Sequence, residues 1–395
     1  MSRPHAPLWL LTLITFSGTL AMHIFVPALP DAARDLGASI AEMQMTMSVY
    51  IFGLAVGQLI YGPLSDRFGR RPVLMVGLVV YALTGFAASF VPDVQMLIAA
   101  RLLQALGGCA GLVIGRAILR DSGSPREAGR RLALMNLMVA IGPGTAPIVG
   151  GAMASTLGWR SIFYLLAGLG VVNIVATWLL LPETRAPGTA ERMPVLARNY
   201  ARLLASPAFV GFALGGGCAT TSMYAFLTAS PFIFTRQLHR PAHEVGLYLT
   251  VLIGGIWFGS MLAARLIPHM KIERLAIGAN LASVAAAAVL LVAVLSNHLS
   301  VPLAVGSMFF YALGAGAASP SALTLAISVN TRIIGSASGL YGFAQMAVGA
   351  LSTAAAGIGD NPALTAAVVL MSAGIVAQAS FWIAARHKRP EMAEP

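Results

Sequence analysis

The 395 residues are 57% hydrophobic and only 10% charged, with a mean hydropathy of +0.80. Soluble domains carry roughly 25% charged residues, so a water-soluble globular chain is excluded. The net charge of +11 would suit nucleic acid in a soluble protein. Here the Lys and Arg residues fall between apolar runs without interleaved aromatics, and that partner is set aside.

Taken in chain order, apolar runs of spanning length recur with short breaks: Leu8–Leu29, Met43–Pro63, Val73–Val91, Val94–Leu119, Leu132–Leu157, Ile162–Leu181, Phe209–Phe234, Val245–Ile267, Leu275–Leu295, Val301–Val329, Ile333–Ile358 and Ala363–Ala385. A helix crosses the hydrocarbon core with about 20 apolar residues. The runs do not alternate apolar and polar residues as barrel strands do, which leaves helices as the spanning element. The predicted fold class is an all-α integral membrane protein of twelve helices in two six-helix bundles. Arg3 followed by the first run resembles a signal peptide, but the run is long and many more follow. The longest break, near mid-chain, is charged and holds Pro182, Pro187 and Pro194. It divides residues 1–184 from 207–395, with 185–206 as a cytoplasmic linker.

One set of helix ends collects nearly all of the 25 Lys and Arg residues, while the other holds only Arg34, Arg160, Arg236 and Arg240. Short cytoplasmic loops accumulate positive charge, so both termini are expected in the cytoplasm. The densest turn is Gly62-Pro-Leu-Ser-Asp-Arg-Phe-Gly-Arg-Arg-Pro72. Gly62 and Gly69 suit backbone turns and close helix approach, and Arg67 and Arg71 suit topology setting. Asp66 works against a positive loop and calls for a specific partner. Cys109 and Cys218 lie inside apolar runs and read as small buried thiols. No His, Cys and carboxylate cluster has metal-ligand spacing, and no phosphate-cradling Gly-rich Lys-Ser/Thr motif occurs.

These stretches carry a resemblance. Gly62 to Arg71 resembles the cytoplasmic signature of the major facilitator superfamily. Arg101-Leu-Leu-Gln-Ala-Leu-Gly107 and Gly142-Pro-Gly-Thr-Ala-Pro-Ile-Val-Gly-Gly151 resemble the fourth- and fifth-span signatures of its drug/proton antiporters. Val26-Pro-Ala-Leu-Pro30 and Gly115-Arg-Ala-Ile-Leu-Arg-Asp121 resemble the bicyclomycin/chloramphenicol-type exporters. The resemblance implies a multi-pass protein of the bacterial inner membrane. It would act as a monomer, without a cofactor, exporting small amphiphilic or antibiotic-like compounds against inward proton flow. The alternative is a dedicated metabolite uptake or facilitative carrier of the same fold. An integral membrane enzyme needs a nucleophile–base pair or paired carboxylates, which the spans do not offer.

By resemblance, Asp66 sits near the N-terminus of the eleventh span, where the helix dipole favours an anion, and Arg70 pairs with Asp121. Gly142, Pro143, Pro147, Gly150 and Gly151 form a sliding seam, with ordinary small-residue packing as the alternative. Arg101, the one charge well inside a span, faces a partner or a watery cavity, or else snorkels outward. The subgroup carries an acid four residues before Pro27, where this chain has His23. Imidazole titrates near neutrality and can take over proton coupling, or it stays neutral and only hydrogen-bonds. Tyr50, Asn136, Tyr224, Trp257, Tyr311 and Gln345, with Phe226 and Tyr341, complete the candidate substrate site; helix packing is the competing role for each aromatic.

Overall fold

The computed structural model describes residues 6–121, 125–184, 193–330 and 333–387. Arg3, Arg126, Arg332 and the first part of the expected linker, 185–192, lie outside the described residues or side chains. The chain forms α1 (Leu8–His23), α2 (Leu29–Asp35), α3 (Ile40–Phe68), α4 (Arg70–Ala88), α5 (Val94–Asp121), α6 (Pro125–Leu157), α7 (Arg160–Leu180), α8 (Met193–Leu204), α9 (Pro207–Thr221), α10 (Tyr224–Phe232), α11 (Ala242–Leu266), α12 (Ile272–Leu295), α13 (Val301–Ser328), α14 (Ile334–Ala356) and α15 (Pro362–His387). No strand occurs among the described residues. Eleven segments are long and apolar enough to cross a membrane. The twelfth predicted span, α14, has 23 residues but dilutes its apolar side chains with Ser336, Ser338, Gln345, Ser352 and Thr353.

Two of the spans are broken, which hydropathy did not reveal. The first runs α1, a 3-10 turn at Val26–Ala28, then α2. Pro27 and Pro30 remove backbone donors there and force the interruption. The seventh runs α9, a break at Ser222 and Met223, α10, then a π-helical turn at Ile233–Gln237. The first helix of each six-helix set is thus discontinuous.

Two further expectations are corrected. The span before the charged turn does not stop at Pro63. Helix α3 continues through Gly62, Pro63 and Asp66 to Phe68, and only Gly69, at φ +95°, separates it from α4. That left-handed backbone suits glycine. A Cβ on Gly62 would meet nothing within 4 Å, so no close approach depends on it here. The linker is also not wholly irregular. Residues 193–204 form α8, whose Asn199 and Leu203 are buried while Val195 and Leu204 are exposed. At its other end α3 begins with a capping box, Ser39 and Glu42 satisfying each other's backbone N–H groups.

The two sets meet along two seams, α3 against α14 and α6 against α11. Side-chain hydrogen bonds across them, among the described residues, run from Ser48 Oγ to the Ala350 carbonyl (2.5 Å), Thr250 Oγ1 to Gly144 (2.9 Å), Trp257 Nε1 to Ala140 (3.2 Å) and Gln58 Nε2 to Gly342 (3.3 Å). Beyond Gln58 and Trp257, toward the arginine-rich end, each helix continues for about ten residues, ~15 Å. There Leu64, Phe68, Met261 and Ile334 are exposed. Among the described residues, the side-chain hydrogen bonds across the seams thus stop short of the arginine-rich end.

Candidate functional site

The charged turn is a built assembly. Arg70, almost fully buried, bonds Asp121 Oδ2 through Nε (3.0 Å), Asp66 Oδ1 through Nη2 (2.7 Å) and Ser65 Oγ through Nη1 (2.6 Å). The pairing with Asp121 is as expected from the sequence. Asp66 sits in the last turn of α3 and meets Arg70, one turn on. Glu183, which the sequence did not single out, accepts from the backbone N–H groups of Arg70 and Arg71 (3.0 and 3.1 Å), capping α4 where its dipole is positive. Arg71 is more than a topology signal, since Nη2 donates to the Trp178 carbonyl at 2.6 Å. Arg67 lies over the Phe68 ring. The assembly pins α3, α4, α5 and the end of α7 together.

Arg101 is fully buried inside the first six helices. Its Nη1 donates to Gln104 Oε1 (2.7 Å), its Nη2 to the Ala21 carbonyl (3.0 Å), and its guanidinium stacks 4.0 Å from the Tyr50 ring centroid. It neither snorkels nor touches water in this conformation. Neutral acceptors and an aromatic face replace the counter-ion that a charge in lipid demands. Tyr50 is itself fixed by donating to Gly18 (2.8 Å). Sequence reasoning missed the surrounding network: Tyr81 donates to the Ser17 carbonyl (3.0 Å), and Asn173 to Ser17 Oγ (2.7 Å). The signal was there, in polar residues each alone within an apolar run.

His23 closes α1 at its break. Nδ1 lies 2.9 Å from the Thr19 carbonyl, so this nitrogen carries the hydrogen. Nε2 has no hydrogen-bond partner among the described residues. The ring meets that of Tyr224 edge-on, 6.3 Å between centroids. Tyr224 opens α10 at the corresponding break of the other set, and its ring also faces Gly349 of α14. Two discontinuous helices thus meet through His23 and Tyr224. Gln345 flanks them, its Nε2 donating to Thr220 Oγ1 (2.8 Å) and its carbonyl accepting from Thr221 (2.6 Å).

The remaining candidates do not all gather there. Tyr311 is fully buried in the second set, 2.7 Å from Ser222 Oγ, and its carbonyl accepts from Ser283. Phe226 and Tyr341 are buried in the same set, Tyr341 against Gly216. Asn136 is exposed on α6. Trp257 is 41% exposed and belongs to the α6–α11 seam. The structure also divides the α6 glycines that spacing could not. Gly142 lies against Phe16, Gly150 against the Ile24 carbonyl and Gly151 near Pro27, all of the first span. Gly144 faces Trp257, and the Pro147 carbonyl lies against Gly246, both of α11; Pro143 lies inside α6. Only part of the predicted sliding seam joins the two sets.

A family model described as Major Facilitator Superfamily matches residues 11–353. The chain is 29% identical over 383 residues to the uncharacterized MFS-type transporter YdgK of Bacillus subtilis, covering 95% of this chain and 94% of that one. It is 27% identical to a bicyclomycin resistance protein homolog of Haemophilus influenzae, covering 83% of each, and 32% identical to Multidrug resistance protein D of Escherichia coli across 65% of each. Among solved structures, a D-xylose-proton symporter superposes with a TM-score of 0.76 at 15% identity, covering 95% of this chain and 96% of that one. A bacterial homologue of the human lysosomal transporter Spinster gives 0.72 at 16% identity over 98% of each. At such identities the structural likeness speaks to the fold.

Proposed function

The chain belongs to the Major Facilitator Superfamily, and on that premise we propose that it is a secondary active exporter of small amphiphilic, antibiotic-like compounds, working by alternating access and coupled to inward proton flow. It is a multi-pass protein of the inner membrane and an export carrier rather than an enzyme. Residues 1–184 and 207–395 form the two rocking bundles, 185–206 links them, both termini are cytoplasmic, and the monomer is the working unit. The observation that carries the reading is the one-sided seam, whose side-chain hydrogen bonds stop about ten residues, ~15 Å of helix, short of the arginine-rich end. Two bundles rocking about a central site alternate between such a state and its inverse. With the arginine-rich end in the cytoplasm, this conformation is open inward. The relatives' names, bicyclomycin resistance and multidrug resistance, support the substrate class and the outward direction.

The proposed substrate and coupling site lies where the two broken helices meet, at His23, Tyr224 and Gln345. Arg101 and Tyr50 stand behind it as a positioning pair. With Nδ1 committed to the Thr19 carbonyl, Nε2 of His23 is the position that takes and releases a proton. Asp66 holds Arg70 in the inward-open state and faces the start of α14 in the inverse one.

The test compares cells with and without the protein for accumulation of a panel of toxic compounds, with a proton uncoupler as control. Lower accumulation of at least one compound, abolished by the uncoupler, is expected. No difference for any compound overturns the export reading and favours a metabolite carrier. His23→Gln is expected to slow pH-gradient-driven export at least tenfold, and unchanged coupling would exclude the histidine.

A further inference from the structure

The charge that stands well inside a span is positive, and the described carboxylates keep to the helix ends and connections. Every described Asp and Glu sits at or within about a turn of a helix end or in a connection: Asp66 and Asp121 close α3 and α5, Glu42, Glu127, Glu244 and Glu273 lie in first turns. None stands inside a span. The cations do. Arg101 is buried among Tyr50, Gln104 and the Ala21 carbonyl with no carboxylate in reach. Arg116 is exposed on α5, one turn beyond Leu112, which lies against Gly18 of α1. It has no carboxylate partner among the described residues.

The arginine-poor end repeats the pattern in a place that topology does not explain. Positive charge is scarce there, yet three of its four arginines, Arg34, Arg236 and Arg240, line one pocket of about 290 Å³ with Pro30, Asp31 and Thr235. The pocket bridges the two bundles, since Pro30, Asp31 and Arg34 lie in α2, and Thr235 and Arg236 in the π-helical turn after α10. Asp31 is paired with Arg34, and Glu244 with Arg240. Arg236 lies over the Phe232 ring and has no carboxylate partner among the described residues. The pocket therefore holds one cation in excess.

We propose that the substrate is an organic anion, an amphiphile carrying a carboxylate, sulfonate or phosphate, which meets Arg236 in the pocket at the outer mouth. This rests on the export reading and narrows its substrate class. Inside the spans a cation finds no carboxylate among the described residues, only neutral acceptors and aromatic faces, and those nearest the centre already serve Arg101. An anion finds Arg236, without a carboxylate partner among the described residues, in the pocket at the arginine-poor end, where it presents a planar fork to an anionic headgroup. The arrangement has an energetic consequence. A membrane that is negative inside drives an anion outward, by about 50-fold in concentration per charge at 100 mV. Export of an anion therefore draws on the membrane potential directly, alongside any proton exchange at His23.

Proteoliposomes holding the full-length protein test this with two permanently charged probes on one hydrophobe, a pyrene sulfonate and a pyrene trimethylammonium, under an imposed potassium diffusion potential. Protein-dependent flux of the sulfonate is expected, at least tenfold above that of the ammonium and reversing with the sign of the potential. Arg236→Gln is expected to lower the sulfonate flux several-fold, and Arg236→Lys to restore part of it. Equal fluxes, or a faster ammonium flux, overturn the anion assignment. So does the absence of both fluxes when the cell-accumulation panel still responds. If the panel is silent as well, the export reading has failed and the substrate class with it. Sulfonate flux undiminished in Arg236→Gln overturns the role of the outer pocket, and a free lipid phosphate as its occupant is distinguished by added short-chain phosphatidate slowing the sulfonate only when Arg236 is present.

Discussion

At the scale of single residues, a charge inside the spans is tolerated by substitution of partners. Arg101 has two oxygen acceptors, the Met47 sulfur and an aromatic face in place of a carboxylate. Lysine keeps the charge but cannot reach two acceptors in fixed fork geometry. Arg101→Lys should therefore destabilise the folded protein by about 2 kcal/mol, one lost charge-assisted bond and a poorer stack, read as a lower unfolding temperature in detergent. Tyr50→Phe removes the bond to Gly18 but keeps the ring beneath the guanidinium. It should cost only about 1 kcal/mol. If Tyr50→Phe proves as damaging as Arg101→Lys, the hydroxyl has a role beyond holding the ring. The lone Arg and His were legible in the sequence because a polar residue in an apolar run stands out. Their partners were not, because a carbonyl such as that of Ala21 or Thr19 leaves no mark in a side-chain pattern.

At the scale of elements, the glycines of α6 separate packing from passage. A Cβ on Gly150 would lie 1.8 Å from the Ile24 carbonyl oxygen, a backbone atom that cannot step aside. Gly150→Ala should force α6 off α1 and cost about 1–3 kcal/mol or more through overpacking, seen as reduced folded yield and a lower unfolding temperature. Gly62→Ala is the contrast, since nothing lies within 4 Å of its added Cβ. Its unfolding temperature should match the parent's within the effect of a helical Gly-to-Ala change, a slight gain. A loss would mean that another conformation, with α3 closed on its neighbour, dominates in solution. The sequence signature gives Gly142, Gly144, Gly150 and Gly151 one identity, but Gly144 meets α11 and the others the first span. Helix phase separates Gly144 from Gly142 and Gly150, while Gly151, one heptad on from Gly144 and on its face, meets a different neighbour at its own height, and the neighbouring helices are not written in the local sequence.

At the scale of the whole molecule, the asymmetry of the seams makes a geometric forecast. In a background with Cys109 and Cys218 replaced by serine (both thiols are buried), Ser48→Cys paired with Ala350→Cys joins a contact present in this state. Oxidation should cross-link that pair rapidly and abolish transport by holding the arginine-poor end shut. Leu64→Cys paired with Ile334→Cys, both exposed toward the arginine-rich end, should cross-link slowly, and faster when substrate cycles the protein through the inverse state. Equal rates for the two pairs would mean that the bundles do not rock about these seams.

The sequence alone determined the solvent and the element: 57% hydrophobic residues in recurrent runs of ~20 admit only membrane helices, and their basic breaks set a sidedness. Those are properties of each segment against lipid and water, and need no knowledge of neighbours. The tertiary structure alone decided that two spans are broken, that His23 and Tyr224 meet at the breaks, that Arg101 is closed off from water, and that three arginines share one pocket at the arginine-poor end. Each depends on which helix face turns toward which partner, and between apolar helices in lipid that choice is made by close packing and a few buried polar bonds rather than by hydrophobicity.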